Sequence, residues 1–267
     1  MKRTSSLSWI ALCLAALSAG PLYAVLTAQG RGARTPAPVE WKTYGADLSS
    51  TRYSPLDQIN KDNFSKLKIA WRLNTDAFGP RPGTLYSTTP LFVGNTLYAT
   101  VGTARVVVAI NPVTGEVLWK HTEDEGPRGQ AAPRQGAGRG VSYWSSADGA
   151  DQRIIYVTPG YRMIALNAKT GEPVPTFGQN GAVDLKLEND QEIDLITGEI
   201  GLNATPLVAG DVVVVGAAHR PGSNPRVTNN AKGYVRGFVA KTGKRLWIFH
   251  TIPKPGEFGY DTSQNES

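Results

Sequence analysis

The chain has 267 residues, of which 40% are hydrophobic and 19% are charged, a balance typical of globular proteins that excludes a disordered chain. Its 29 glycines and 18 prolines favour many short strands joined by turns. The net charge of +6 is not concentrated in runs of lysine and arginine, so we expect no nucleic-acid partner.

The first residues have the pattern of a secretory signal. A Lys-Arg pair at positions 2–3 precedes an apolar stretch over 7–17, and a positive flank before a short apolar core directs export. The sequence therefore predicts a signal peptide or N-terminal anchor over 1–28, a flexible leader over 29–40, a folded domain over 41–267 and a periplasmic location. An uncleaved segment could also span a bilayer, so membrane association through this segment stays open.

Two segments further along share a repeat of four short β-rich runs. The runs lie at 89–94, 96–100, 106–111 and 114–119 in one unit, and at 205–210, 212–215, 234–239 and 242–247 in the other. Both units open with Thr-Pro-Leu and close with Thr-Gly-x-x-x-Trp. Glycine can adopt a positive φ, so the Thr-Gly pair predicts a turn between the last two strands.

A more diverged unit lies between these two. It contains β-rich runs at 154–157 and 163–167 and a Thr-Gly pair at 170–171. Phe177 takes the place of the closing tryptophan after an insertion with two prolines. Ahead of the first full unit, residues 67–71 end in a tryptophan and are predicted to form a closing strand of a partial unit.

Four strands per unit, at a period of about fifty residues, predict an all-β fold. The predicted fold class is a β-propeller of four-stranded antiparallel blades, whose tryptophans pack between neighbouring sheets. A β-sandwich with coincidental Thr-Gly turns is the alternative. The chain contains about three and a half blades, fewer than the roughly four to eight of closed propellers, so the propeller is predicted to be incomplete.

Several segments of the chain resemble pyrroloquinoline-quinone-dependent dehydrogenases, the quinoprotein glucose/alcohol dehydrogenase family. The resemblance rests on Trp41–Asp47 with Thr51–Asn60, on Arg139–Trp144, on Gly233–Phe238 and on His250–Gly259. The last of these segments is similar to the glucose-dehydrogenase branch. The resemblance implies an eight-bladed propeller, of which this chain corresponds to the N-terminal half only.

The resemblance implies oxidation of a glucose-like aldose or an alcohol, with electrons passed to a respiratory quinone or a cytochrome. The implied cofactors are pyrroloquinoline quinone, a flat ring with three carboxylates, and calcium or magnesium as a Lewis acid. A carboxylate base would take the proton of the substrate hydroxyl. No residue of this chain is a credible catalytic base, so we expect the chain alone to be inactive.

Four residues are candidates for cofactor binding. Arg139 matches the family arginine before Gly-Val-x-Tyr, and its planar fork can hold a carboxylate, although a surface arginine in a glycine-rich loop is the alternative. Asn203 falls where relatives place a polar contact, and Thr205 competes with it for that role. His219 follows a strand at the mouth end and could donate to the cofactor, or it could be a loop histidine without a role.

Asn229 is the candidate metal ligand. The alcohol-oxidising branch has a glutamate in this region, and an uncharged amide oxygen would bind calcium more weakly. Two other functions stay open, namely a non-enzymatic propeller scaffold of the outer-membrane assembly type and a degenerate product without activity. The arginine-headed loop at 139–144 favours the enzyme, because a scaffold has no need of it.

Overall fold

The computed structural model describes residues 39–80, 83–187, 189–219 and 231–262, all of which belong to one compact unit over 39–267. The predicted signal peptide and most of the predicted leader fall outside these residues, so the domain division stays a prediction. In the part of the chain that is described, no helix combines the length and the apolar character needed to cross a bilayer.

The described residues contain three antiparallel four-stranded sheets, each a meander in chain order. Blade 1 consists of β1 (Leu91–Val93), β2 (Thr96–Val101), β3 (Val106–Ile110) and β4 (Val117–His121). Blade 2 consists of β5 (Ser142–Ser145), β6 (Gln152–Val157), β7 (Arg162–Asn167) and β8 (Ala182–Asp184). Blade 3 consists of β9 (Leu207–Ala209), β10 (Val212–Val215), β11 (Val235–Val239) and β12 (Arg245–Phe249). A short helix, α1 (Gly126–Ala131), joins the first two blades, and single 3-10 turns lie at Phe64–Lys66 and Tyr260–Thr262.

The predicted all-β propeller fold is confirmed, and two details of the prediction are wrong. Residues 67–71 form no strand, because a strand needs a hydrogen-bonded neighbour and no described strand pairs with them. Phe177 does not lie on a closing strand. It sits in a turn, fully buried, and the closing strand β8 comes after it.

Sequence and packing explain why the middle strands form. Strand β3 reads Val-Val-Val-Ala-Ile, and all five residues are buried, as expected for β-branched side chains in a strand covered on both faces. The hairpin between β1 and β2 has two residues, Gly94 and Asn95, with φ of 55° and 59°. Positive φ at both positions defines the type I′ turn, which matches the twist of paired strands.

Tryptophans join consecutive parts of the propeller as predicted. The indole of Trp71 lies on Gly115, where a Cβ would stand 2.6 Å from the ring, and its Nε1 donates to the Pro112 carbonyl at 2.9 Å. The indole of Trp119 repeats this contact on Gly171 of the next blade, at 2.5 Å. Each indole therefore fills a space that only glycine leaves open.

The junction between blades 2 and 3 uses a different residue. Arg153 on β6 donates to the carbonyls of Ala240 at 3.3 Å and Lys241 at 2.6 Å, which lie in the third Thr-Gly turn. The same guanidinium pairs with Asp151 and lies over the Trp144 ring at 5.2 Å. Where the closing tryptophan is missing, Val183 and the Gly178 backbone lie on Gly243 of the third turn, and the buried Arg153 adds hydrogen bonds to the same turn.

Candidate cofactor-binding site

The segments that lead into the first strand of each blade meet at one end of the structure. The Thr89 amide donates to the Arg139 carbonyl at 3.2 Å, and the Arg139 amide donates to the Asn203 carbonyl at 2.9 Å. The Ser142 hydroxyl also donates to the carbonyl of Pro206. Backbone hydrogen bonds thus bring Arg139, Asn203 and Thr205 close together from two different blades.

A cavity of about 400 Å³ opens beside these segments. Its wall is formed by the segment over 42–50 and by the residues in and before the first strands of blades 2 and 3. It includes Lys42–Gly45, Asp47, Ser50, Arg139, Ser142, Tyr143 and Ala204–Val208. Arg139 and Thr205 both line it. A more open groove of about 550 Å³ beside β8 contains none of the predicted site residues.

The Arg139 side chain is suited to an anionic ligand. It is exposed, lines the cavity, and makes no hydrogen bond or ion pair with the residues that the structure describes. Gly140, the next residue, has φ of 121°, and a Cβ there would stand 2.9 Å from the Thr89 carbonyl oxygen. Glycine therefore lets the loop approach blade 1 closely and keeps the arginine at the cavity.

A second polar group in the wall lacks a partner. The Thr43 hydroxyl is buried and makes no hydrogen bond within the described part of the chain, and a buried polar group of this kind usually has one. Lys42, in contrast, is already paired with Glu40 at 2.7 Å. A guanidinium and a hydroxyl that both lack partners fit a carboxylate-bearing ligand such as pyrroloquinoline quinone.

Asn203 has a different environment from the one expected of a direct contact. Its side-chain oxygen accepts a hydrogen bond from Arg105 Nη2 at 2.8 Å, which leaves its amide hydrogens as the groups available to a ligand. His219 lies in the loop after β10, does not line the cavity, and pairs through Nδ1 with the Glu199 carbonyl at 3.0 Å. The structure brings Arg139, Thr205 and Asn203 together, and His219 stays apart.

The described residues offer no obvious place for a metal ion. Among them, no group of three histidine, cysteine, aspartate or glutamate side chains could hold one. Asn229, the predicted ligand, lies outside the described residues. The calcium or magnesium implied by the resemblance stays a prediction.

The acidic residue of the cavity wall is poorly placed to act as a base. Both carboxylate oxygens of Asp47 accept hydrogen bonds from Thr51, from its amide at 3.1 Å and its hydroxyl at 2.5 Å. These bonds lower the pKa of Asp47, and a carboxylate with a lowered pKa is a weak proton acceptor.

Arg105 is a residue of this site that no sequence pattern indicates. It lies in the turn between β2 and β3 and is only 3% exposed, and its guanidinium binds the carbonyls around Arg139 and Asn203. Burial lowers the pKa of Arg105 to about 10, so the side chain remains charged at neutral pH. No local signal marks it, since a lone arginine in a hairpin turn is usually a surface residue.

Comparison with known proteins places the chain in a family. A family model described as the β-propeller domain of glucose/ethanol/alcohol dehydrogenases, "PQQ", matches residues 41–267. The glycerol dehydrogenase large subunit of Gluconobacter thailandicus is 34% identical over 223 residues, which cover 80% of this chain and 29% of the relative. The dehydrogenase subunit of the quinone alcohol dehydrogenase of Gluconobacter oxydans (strain 621H) is 32% identical over 222 residues, covering 82% of this chain and 25% of the relative.

Solved structures support the same assignment. The quinohemoprotein alcohol dehydrogenase of Comamonas testosteroni superimposes with a TM-score of 0.62 at 25% identity, over 82% of this chain and 28% of that chain. This chain thus spans less than a third of the length of each of these proteins. The match over 41–267, the three four-stranded blades and the arginine-headed loop agree, and the chain belongs to the β-propeller family of PQQ-dependent glucose, ethanol and alcohol dehydrogenases.

Proposed function

We propose that this chain provides the scaffold and one wall of the pyrroloquinoline quinone site in a dehydrogenase that oxidises an alcohol, a polyol or an aldose sugar. The observation that carries the proposal is Arg139, an exposed cation in the cavity wall that makes no pair with the described residues. A guanidinium of this kind can hold a carboxylate with two parallel hydrogen bonds.

The residues of the chain have distinct roles in this proposal. Arg139 and the Thr205 side chain bind and orient the cofactor, and the Thr43 hydroxyl gains a partner when the cavity is filled. When bound, the quinone would supply the hydride-accepting chemistry that the side chains themselves lack. The acidic side chain of the cavity wall, Asp47, is held by Thr51, and we expect the base and the metal ligands to come from elsewhere.

The physiological setting is part of the same proposal. The apolar N-terminal stretch after Lys2 and Arg3 would direct export to the periplasm. There the electrons would pass to a respiratory quinone or a cytochrome. The names of the relatives include glycerol and alcohol, and the family description adds glucose, so these three are the substrates to test.

Binding of the cofactor tests the proposal directly. Pyrroloquinoline quinone is titrated into the chain, and quenching of tryptophan fluorescence reports the dissociation constant. We expect R139Q to weaken binding by about tenfold to a hundredfold, because a hydrogen bond to a charged group is lost. R139K keeps the charge but cannot make two parallel hydrogen bonds to one carboxylate. R72Q is the control, because it removes an exposed arginine away from the cavity. Equal affinity of R139Q and the wild type would contradict the proposal.

Turnover tests the second part of the proposal. The chain is mixed with the quinone and calcium, and reduction of a dye is followed with glycerol, ethanol or glucose. We expect no turnover from this chain alone, because the acidic residue of the cavity wall is held by Thr51 and the described residues contain no group of three metal-ligating side chains. Clear turnover would show that the catalytic groups are present after all.

A further inference from the structure

We propose that Arg105 is a positioning residue for the cofactor site. It is buried behind the cavity wall and holds the Arg139 loop and Asn203 in place. This inference rests on the proposed function for its biological meaning. Its structural part, the hold of Arg105 on the loop, can be tested separately.

The guanidinium of Arg105 uses every donor it has. Nε donates to the Gly136 carbonyl at 3.0 Å, and Nη2 donates to the Arg134 carbonyl at 2.8 Å. Nη1 donates to the carbonyls of Val157 at 2.9 Å and Leu202 at 2.7 Å. The fifth bond, from Nη2, goes to the Asn203 side-chain oxygen at 2.8 Å. An arginine has five N–H groups, so its capacity is filled.

These five bonds join three separate segments. Arg134 and Gly136 belong to the loop that carries Arg139, Val157 ends β6 of blade 2, and Leu202 and Asn203 lead into β9 of blade 3. Arg105 itself comes from blade 1. One side chain thus fixes parts of all three described blades at the end where the cavity opens.

The contact with the loop is close. A Cβ at Gly138, the residue before Arg139, would stand 3.0 Å from Arg105 Nε. The loop backbone therefore rests directly on the guanidinium. Asn203 completes the connection, because its side chain binds Arg105 and its carbonyl accepts the Arg139 amide at 2.9 Å.

A purely stabilising role does not explain an arginine at this position. No carboxylate pairs with Arg105 among the described residues; its partners are four carbonyls and one amide oxygen. Burying a charge is costly, and apolar side chains often serve stability as well or better. A planar fork with five donors is suited to fixing several backbone segments in one geometry.

Lysine cannot reproduce this arrangement. Its ammonium has three donors on a flexible stem, so R105K keeps the charge but leaves at least two of the five acceptors without a partner. We expect R105K to fold, to raise the dissociation constant for pyrroloquinoline quinone about tenfold, and to speed hydrogen exchange of the amides over 134–142 by about tenfold or more.

Arg153 provides the matched control. It is also buried, at 2% exposure, and it also binds backbone carbonyls of a neighbouring blade, but it lies at the opposite end of the blades. R153K should lower the melting temperature about as much as R105K does. Its dissociation constant for the quinone and its hydrogen exchange over 134–142 should stay within about twofold of the wild type.

A milder variant covers the case in which R105K does not fold. N203A removes one of the five bonds and should speed the exchange over 134–142 less than R105K does. Exchange is the measurement used for this variant, because the Asn203 amide is itself a candidate cofactor contact. If R105K and R153K change affinity and exchange equally, Arg105 is only a structural residue and the inference is wrong. If the wild type does not bind the quinone, the proposed function fails, and the exchange data still decide whether Arg105 holds the loop.

Discussion

Buried arginines connect the blades of this protein. Four arginines are each no more than 3% exposed, namely Arg105, Arg128, Arg153 and Arg236. Arginine is rarely buried unless it has partners, and each of these has them. Arg105 binds carbonyls and an amide oxygen, whereas Arg128 on α1 makes a two-pronged pair with Asp184 on β8, at 2.6 and 2.7 Å. Each interaction links segments that are far apart in the chain, and the bonds of Arg105 reach all three described blades.

The Arg128–Asp184 pair leads to a prediction about acid stability. Burial raises the pKa of Asp184, but the hydrogen bonds and charge of Arg128 outweigh it and leave the pKa below the ordinary 3.8. A carboxyl whose pKa is lower in the folded state stabilises the fold above its unfolded pKa, and this contribution is lost as the pH falls through the folded value. D184N should therefore lose about 2 kcal/mol at neutral pH and show a weaker decline in stability below pH 4 than the wild type.

Urea unfolding at neutral pH and below pH 4 measures both effects. D57N is the control, since Asp57 is exposed and makes no ion pair with the described residues. It should match the wild type at both pH values. If D184N and the wild type lose the same stability on acidification, the pair does not contribute in the way argued.

At the scale of strands and turns, indole rings lie on two of the three Thr-Gly turns, those at Gly115 and Gly171. Gly171 combines two constraints, a φ of 76° and a ring of Trp119 that a Cβ would approach to 2.5 Å. Gly210, in the hairpin of blade 3, has a similar φ of 58° but open space around it. The pair separates the effect of backbone conformation from that of packing between blades.

We predict that G171A is clearly more destabilising than G210A. A side chain at positive φ costs about 1 kcal/mol, which is the whole expected effect at Gly210. At Gly171 the new methyl group also pushes the Trp119 indole away from the turn. The total loss in the free energy of unfolding should therefore reach about 2–4 kcal/mol. Thermal unfolding of both variants measures the difference. Equal losses would mean that the indole contact adds nothing to stability.

Local patterns predicted the parts of the fold that local chemistry determines. The runs of β-branched residues in β3 and β10, and the Thr-Gly turns at Gly115 and Gly171, follow from strand and turn preferences within a few residues. The strand predicted at 67–71 failed because a strand also needs a neighbour, which its own sequence does not reveal.

The site was only partly predictable for the same reason. Arg139 and Thr205 lie in segments with a recognisable pattern, and the structure places both in one cavity wall. Arg105 and Arg153 carry no such signal, because their roles depend on carbonyls of other blades. His219 is predicted from its position after a strand; its Nδ1 is paired with the Glu199 carbonyl, Nε2 is left for a ligand, and its role stays a prediction.

At the scale of the whole molecule, the apolar core lies between blades. One cluster of buried side chains joins blades 1 and 2, a second joins blades 2 and 3, and a third lies between blade 1 and the segment around Trp71 and Phe78. A blade of this kind is stabilised when other residues pack against both of its faces. In the described structure nothing packs over the closing strand of blade 3, and Leu246, Trp247 and Phe249 are 52%, 43% and 62% exposed.

We predict that this strand makes the purified chain self-associate. Adjacent exposed apolar residues on an unpaired edge strand favour edge-to-edge contact, and lysine is a residue that natural edges use to prevent it. L246K/F249K should therefore shift sedimentation toward the monomer at concentrations where the wild type sediments faster.

L48K/V113K adds the same charge at other exposed apolar positions, 59% and 80% exposed, and should behave like the wild type. If both double variants reduce association equally, net charge is responsible and the strand is not. If only L246K/F249K does so, the apolar edge of blade 3 is the contact surface, because the two variants differ only in where the charge stands.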